Sequence, residues 1–252
     1  MKLKYTLAAL AVLAVTTLSA QAVITNMKDA TAFAQFYLGN QMWENGTPAY
    51  VGDWNGDIAS GGTQADYSNN GTNLVVSQTT NNGWFQHDND TSPWDLLLPT
   101  ESWTAEMRVH VQSTPGGVSL WGAQIGDGAG IITVNNNGVS AGAGAALDLD
   151  TTDNTDGFHT FRLAYDGPDG VYSVWRDGAL LTSTQTATLN TGLSRFIVGD
   201  CCSSYGGVGN VFEIEYAAYD VTGAFAPVLV PEPSSTALLG LGGLALLLRR
   251  RK

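Results

Sequence analysis

The chain is short of positive charge, of cysteine and of histidine, and each shortage removes a class of function. Eleven Lys and Arg stand against 23 Asp and Glu in 252 residues, a formal net charge of −12. Six of those cations lie at the two ends. Residues 23–231 keep only five (Lys28, Arg108, Arg162, Arg176 and Arg195) beside 22 acidic residues, a formal charge of −17. Such a body neutralises no phosphate backbone, which excludes ordinary nucleic-acid binding. It also lacks the basic clusters that dock on anionic lipid. Cys201 and Cys202 are adjacent, so no intrachain disulfide can staple distant parts of a core. A strained vicinal disulfide, two free thiols and a bond between chains all remain open. The three histidines, His87, His110 and His159, are a thin supply for zinc. His159 falls on the apolar side of a strand-like run and reads as a core histidine. No His-Glu-x-x-His occurs, so that metal-site motif is not present.

Long apolar runs are also missing; none reaches the ~20 residues of a comfortable membrane span. The two runs that exist sit at the ends. Met1-Lys2-Leu3-Lys4 precedes an apolar stretch over 7–18, interrupted only by Thr16 and Thr17, and Ala20-Gln21-Ala22 follows. A basic start, a short apolar run and an A-x-A site predict a cleaved signal helix over residues 1–22, with Ala20 and Ala22 at the cut. A first transmembrane helix is the alternative, and the run is short for one. At the other end, Pro231-Glu232-Pro233 leads into 15 uncharged residues, 234–248, and then Arg249-Arg250-Arg251-Lys252. As a helix those 15 residues measure ~22 Å against a ~30 Å hydrocarbon core. The expectation is a short transmembrane helix over 234–252. Its basic end would stop in the cytoplasm and leave the body outside.

This tail resembles the PEP-CTERM sorting signal of Gram-negative bacteria, which also goes by the name ice-binding protein C-terminal domain. That second label describes the tail and not the body. Three parts occur in order: Pro231, Glu232 and Pro233, then the apolar segment, then Arg249, Arg250, Arg251 and Lys252. The resemblance implies passage through the Sec translocon and recognition by an exosortase, a membrane cysteine transpeptidase-like enzyme. It further implies cutting near the Pro-Glu-Pro motif in a host that makes exopolysaccharide. The chain would then sit in the inner membrane transiently, and afterwards at the cell surface or in the extracellular matrix.

Between the ends, period-two alternation dominates, the pattern of a sheet with one buried face. It runs through Trp103-Thr104-Ala105-Glu106-Met107-Arg108-Val109-His110-Val111, through His159-Thr160-Phe161-Arg162-Leu163-Ala164-Tyr165, and through Phe212-Glu213-Ile214-Glu215-Tyr216. Asp177-Gly178 between two strand-like runs predicts a hairpin. Further strands are expected over 74–77, 84–87, 118–125, 131–134 and 196–199, with turns rich in Gly and Asn between them. Residues 29–43 hold the one helix candidate of the body, weakened by aromatics and Gly39. Many strands at short spacing predict an all-β fold, an antiparallel two-sheet jelly-roll sandwich. The expected organisation is a signal peptide (1–22), an N-terminal lead-in (23–49), the jelly roll (50–226), a Pro-containing linker with the motif (227–233) and the tail (234–252).

Phe158-His159-Thr160-Phe161-Arg162-Leu163-Ala164-Tyr165-Asp166 followed by Tyr172-Ser173-Val174-Trp175-Arg176-Asp177-Gly178-Ala179-Leu180 resembles the concanavalin A-like lectin/glucanase superfamily, in its laminin-G-like branch. Arg195-Phe196-Ile197-Val198-Gly199-Asp200 and the strand to Asp220 are similar to that family's last strands. The resemblance covers residues 50–226 and implies architecture more than activity.

Four candidate sites follow. Glucanases of that family carry Glu-x-Asp-x-x-Glu on one strand, and retaining hydrolysis needs carboxyls ~5–5.5 Å apart. Glu213-Ile214-Glu215 lacks the middle Asp and the third Glu, so the expectation is a non-enzyme. Calcium is the metal to consider. Asp148, Asp150, Asp153 and Asp156 in one loop are its candidate ligands, and ordinary Asx turns are the other reading of the same residues. Trp84, Trp94, Trp121 and Trp175 are candidates for stacking on sugar rings, or for core. Cys201 and Cys202 are the candidate vicinal disulfide. Together these readings predict an exported, non-catalytic jelly roll that binds exopolysaccharide or another glycan. The alternatives are a structural or adhesive spacer and, last, a polysaccharide hydrolase.

Overall fold

The computed structural model describes residues 24–41, 43, 67–77, 83–87, 100–113, 117–124, 128–141, 147–184, 195–200 and 209–228. Residues 1–23 and 229–252 lie outside that set, with Ala20, Ala22, the sorting motif and the basic end. Trp94, Cys201 and Cys202 lie outside it too. Among the described residues no helix is long and apolar enough to cross a membrane.

Among the described residues, fourteen strands form two antiparallel sheets. They are β1 Gln35–Leu38, β2 Tyr67–Asn69, β3 Leu74–Ser77, β4 Gly83–His87, β5 Trp103–Ser113, β6 Val118–Gln124 and β7 Gly128–Asn135. The rest are β8 Gly138–Ala141, β9 Leu147–Asp150, β10 Phe158–Asp166, β11 Val171–Arg176, β12 Ala179–Thr184, β13 Arg195–Asp200 and β14 Val211–Asp220. The larger sheet runs β12-β11-β10-β5-β14-β3-β2, with β1 also paired to β14; the smaller runs β4-β13-β6-β7-β8-β9. One core lies between them. Trp103, Ala105, Met107, Val109 and Val111 of β5, with Phe161, Leu163 and Tyr165 of β10, meet Val118, Leu120, Ile132, Val134, Phe196 and Val198 of the smaller sheet. The alternation read in β5 and β10 is the one that fills this core. The antiparallel two-sheet sandwich is therefore the fold.

The Asp-Gly hairpin forms as expected between β11 and β12. Asp177 (φ 49) and Gly178 (φ 82) both take the left-handed conformation that a tight two-residue hairpin turn requires. Asp177 also binds sideways. Its Oδ1 accepts from Thr160 N at 2.9 Å, and its own N–H donates to Thr160 O at 2.8 Å.

Three expectations change. The helix candidate at 29–43 is a single 3-10 turn, Ala30–Ala32, followed by a β strand, β1. Asp29 caps that turn by accepting from Thr31 N at 2.9 Å, and the bulky Phe and Tyr that follow favour strand. The supposed lead-in is likewise part of the sandwich, because β1 pairs with β14 from Gln35↔Tyr219 to Leu38↔Tyr216. Last, the alternation in β14 breaks. Phe212 and Ile214 enter the core, a bulge follows between Ile214 and Tyr216, and from there Ala217 and Tyr219 face inward. Tyr216 is turned out and stacks on Phe36 at 4.9 Å. The bulge is fixed by Gly39, whose N–H donates to the Glu215 carbonyl at 2.7 Å. A Cβ at Gly39 would collide with the Ile214 carbonyl, so this crossing requires glycine.

The outer face of the larger sheet is covered at one end by both terminal segments. A parallel bridge joins Met27 and Ala226; Ala226 N–H donates to Asn26 O at 2.6 Å and Lys28 N–H to Ala226 O at 3.1 Å. Beneath it lies a buried ion pair, Arg162 Nε to Glu106 at 2.5 Å, each side chain 3% exposed. Arg162 Nη1 donates to the carbonyls of Lys28 (2.7 Å) and Phe225 (3.3 Å), one from each terminal segment. The Tyr216 hydroxyl donates to Glu106 at 2.6 Å. Burial, then the Glu106 charge and this hydrogen bond, push the Tyr216 hydroxyl well above the usual phenol range.

Asp220 locks the same end. It pairs with Lys28 at 2.5 Å and accepts from Thr222 N at 2.8 Å and Thr222 Oγ1 at 2.5 Å. Burial alone would raise its pKa, but the hydrogen bonds from Lys28 and Thr222 and the Lys28 charge outweigh it, and the carboxyl titrates below its ordinary 3.8. A depressed folded-state pKa contributes stability that is fully present above the unfolded value and is lost as pH falls through the folded one. Asp220→Asn should therefore flatten the acid limb of the stability curve below about pH 4. Urea melts of both proteins between about pH 6 and pH 2 check this, and parallel acid limbs would refute it.

Candidate functional site

The smaller sheet turns its second face away from the core. Paired residues in an antiparallel sheet share a face, and so do residues two apart. Leu120, Ile132, Phe196 and Val198 lie on the core side, so their neighbours occupy the other. On that outer face the register aligns one rung across all six strands. Trp84 pairs with Gly199, Gly199 with Ser119 and Ser119 with Thr133. Thr133 in turn pairs with Ser140, and Ser140 with Asp148. The neighbouring rung carries Gln86, Ile197, Trp121 and Ile131. At ~4.7–4.9 Å between strands, the first rung is about 24 Å long.

Its chemistry is graded. One tryptophan position, Trp84, stands at one end, a glycine follows, then three hydroxyl residues, then a carboxylate; Trp121 lies on the neighbouring rung, on the same strand as Ser119. Gly199 has φ 129, a conformation that side chains rarely adopt, so one step of the rung is bare backbone. Ile197 is fully buried although it does not belong to the core between the sheets. Thr133 and Ser140 are 4% exposed, and the Ser140 hydroxyl has no hydrogen-bond partner among the described residues. Asp148 at the sheet edge is exposed. An unpaired buried hydroxyl costs free energy, and a hydroxyl or carbonyl of a bound molecule would recover it. Two of the four stacking candidates, positions Trp84 and Trp121, are thereby placed on one face. Trp175 is not with them: it is buried against Ile24, Ala164, Ala224 and Ala226 and offers no ring to a ligand.

The four calcium candidates do not form one loop. Asp148 and Asp150 lie on β9, a strand too short and acidic to show in the pattern. Asp150 accepts from Thr152 N and Oγ1 at 3.1 and 2.6 Å. Asp153 accepts from Thr155 N and Oγ1, both at 2.8 Å, and these bonds hold its carboxyl below the usual range. Asp156 lies 2.6 Å from His159 Nε2. These are side-chain turns of the Asx kind. Among the described residues no group of three or more His, Cys, Asp and Glu is placed to hold a metal ion. If EDTA lowers the Tm of the exported body, as loss of a ligand bound to the folded state alone must, the fall should persist in Asp150→Ala and in Asp153→Ala, whose carboxylates already serve these turns. A fall that disappears in either variant would return calcium to this segment.

His159 is not a core histidine. Its Nδ1 lies 2.7 Å from Asp177 and its Nε2 2.6 Å from Asp156. The strand's inward face ends at Phe161, and His159 bridges two surface carboxylates beyond it. Glu213 and Glu215 are also hydrogen-bonded. Glu213 accepts from Gln112 at 2.6 Å and Asn73 at 2.8 Å, and Glu215 from Arg108 Nε at 2.6 Å. Their surroundings on the larger sheet's outer face are a hydrogen-bonded lattice. The rung is not legible in the sequence, because β8 and β9 carry too few apolar residues to show a period and register is invisible without pairing.

Residues 229–252 match the family model of the PEP-CTERM protein-sorting motif, and that motif marks the chain as exported and sorted to the cell surface. A sequence comparison with curated proteins finds no match. Solved structures similar to the chain include a Trypanosoma rangeli sialidase in complex with 2,3-difluorosialic acid. It is 15% identical, with a TM-score of 0.48, over 64% of this chain and 27% of the sialidase. A Bacillus licheniformis beta-glucanase is 13% identical, with a TM-score of 0.46, over 75% of this chain and 99% of the other. The alginate lyase AlgAT5 of polysaccharide lyase family 7 is 11% identical, with a TM-score of 0.43, over 73% and 94%. The chain thus spans about a quarter of the sialidase's length. At such identities and TM-scores the chemistry of those enzymes does not carry over.

Proposed function

We propose that this chain is an exosortase-sorted protein of the cell surface or extracellular matrix whose sandwich binds a glycan without cleaving it. The observation that carries the reading is the outer rung of the smaller sheet, Trp84, Gly199, Ser119, Thr133, Ser140 and Asp148, beside Trp121. Sugars offer an apolar ring face and a border of hydroxyls. Stacking positions next to a hydroxyl row match both. The formal charge of −17 on residues 23–231 repels polyanions, so the fitting ligand is a neutral or weakly charged polysaccharide, the host's exopolysaccharide first. Glu213 and Glu215, hydrogen-bonded to Gln112, Asn73 and Arg108, lend no support to hydrolysis.

A second reading has one observation in its favour. Ile197, Thr133 and Ser140 are already buried, as they would be if the chain's own segments filled this face and the sandwich were a structural or adhesive spacer. A glycan array and a pull-down on purified host polysaccharide separate the two. Binding should appear and weaken about tenfold, on the order of 1.4 kcal/mol, in Trp121→Ala. No binding at millimolar sugar would leave the spacer reading. Tail processing is checked separately, by mass spectrometry of the mature C-terminus in cells with and without the exosortase.

A further inference from the structure

The body's two ends meet at one place. Ile24, two residues beyond the expected signal cut after Ala22, is buried with Ala164, Trp175, Ala224 and Ala226. Ala226 is 7% exposed, and both of its backbone groups are hydrogen-bonded to the N-terminal segment, N–H to Asn26 and carbonyl to Lys28. Phe225 N–H donates to Thr104 Oγ1 at 2.9 Å, and that hydroxyl donates to Gly223 O at 2.9 Å. Lys28 Nζ lies 4.8 Å over the Phe225 ring. The chain is therefore locked through Ala226. The sorting motif begins at residue 229, and only Leu229 and Val230 separate exposed Val228 from Pro231.

No spacer stands between the clamp and the scissile region. Fully extended, residues 227–230 reach at most about 14 Å from the last locked residue. A peptidase takes its substrate as an extended strand, and backbone groups already paired are not available to it.

We propose that this terminal clamp gates the sorting cut. While Asn26 and Lys28 hold Ala226, the segment upstream of Pro231 cannot seat in the peptidase, and cutting proceeds through molecules in which the clamp has opened. Opening needs only local release of the two terminal segments, a sub-global event far cheaper than unfolding the sandwich. The gate rests on the reading that the tail is cut by an exosortase. It adds that the mature N-terminal segment, residues 24–28, sets the rate. Release from the membrane is thereby slowed once the body has folded, and the body hangs by its clamped end in the interval.

Pulse–chase with the full chain in exosortase-positive cells tests this with three proteins. They are the wild type, a variant with six Gly and Ser residues inserted after Val228, and Ala226→Pro, which removes the N–H given to Asn26. The insertion leaves every clamp contact in place, so it stays informative if Ala226→Pro misfolds. Tail removal should be several-fold faster in the insertion variant than in the wild type, and faster again in a folded Ala226→Pro. Equal rates in wild type and insertion variant overturn the gate and leave the sorting reading intact. Removal of the tail in none of them overturns the sorting reading, and the gate with it. Hydrogen exchange on the full chain in detergent reads the clamp directly. The Lys28 and Ala226 amides should be protected to the same degree, and an unprotected Lys28 amide in the wild type also overturns the gate.

Discussion

Arg162→Met should lower the unfolding free energy of the exported body by about 3–5 kcal/mol, the usual cost of breaking a buried ion pair by removing one partner. The reason is local. Glu106, 3% exposed at its side chain, would be left with only the Tyr216 hydroxyl against it. The carbonyls of Lys28 and Phe225 would each lose a donor, and Phe33 would lose the guanidinium 4.8 Å from its ring. Arg162→Lys should rescue little, because a single ammonium cannot serve a carboxylate and two carbonyls in the fork geometry of guanidinium. Replacing both partners, Glu106→Met with Arg162→Met, should recover part of the loss, since two apolar groups bury no uncompensated charge. Recovery stays incomplete because the two carbonyls still want donors. Chemical unfolding at constant m-value measures all four proteins. A loss under about 1 kcal/mol for Arg162→Met would mean that water replaces the guanidinium and that the pair is not what holds the ends.

Removing residues 249–252 should abolish retention of the precursor in the membrane, the largest change expected in cells. The uncharged stretch 234–248 is shorter than the hydrocarbon core it would have to span, ~22 Å against ~30 Å. What stops it is Arg249, Arg250, Arg251 and Lys252, since each cation costs about 2.5–3.5 kcal/mol at the membrane centre even on insertion scales. Without them the tail should slip through, and the full-length chain, ending at Leu248, should appear outside the cell uncut. Fractionation with mass spectrometry of the C-terminus decides it. A precursor still held in the membrane would show that the apolar stretch alone suffices, through a locally thinned bilayer.

The two effects bear on one arrangement. The buried pair at Glu106 and Arg162 lies under the clamp from which the tail departs, so a stability variant there should also change the timing of the sorting cut. Such coupling is expected wherever a local opening exposes a processing site.

How much was legible differs strand by strand. β10, β11 and β12 could be read closely, because strict alternation and Asp177-Gly178 are both local signals. β14 could be read only as far as Ile214. Beyond it the inward parity reverses at Glu215, and what holds the bulge is Gly39, 176 positions away in the chain. β8 and β9 carry too few apolar residues to announce themselves. Asp148 and Asp150 consequently looked like loop ligands when they are strand residues. His159 shows the converse error: its parity was right, but it lies where the strand has run past the core.

Length, charge and the sorting motif at residues 229–252 are determined by the sequence alone, because such a motif acts on an unfolded or extended chain and needs only the order of residues. The all-β character belongs with them, since alternation is a property of consecutive residues. The rung from Trp84 to Asp148, the burial of Arg162 under both ends and the closure of the clamp were decided only in three dimensions. Each joins residues far apart in the chain through strand register, and a shift of one residue would turn every side chain of a strand to the opposite face.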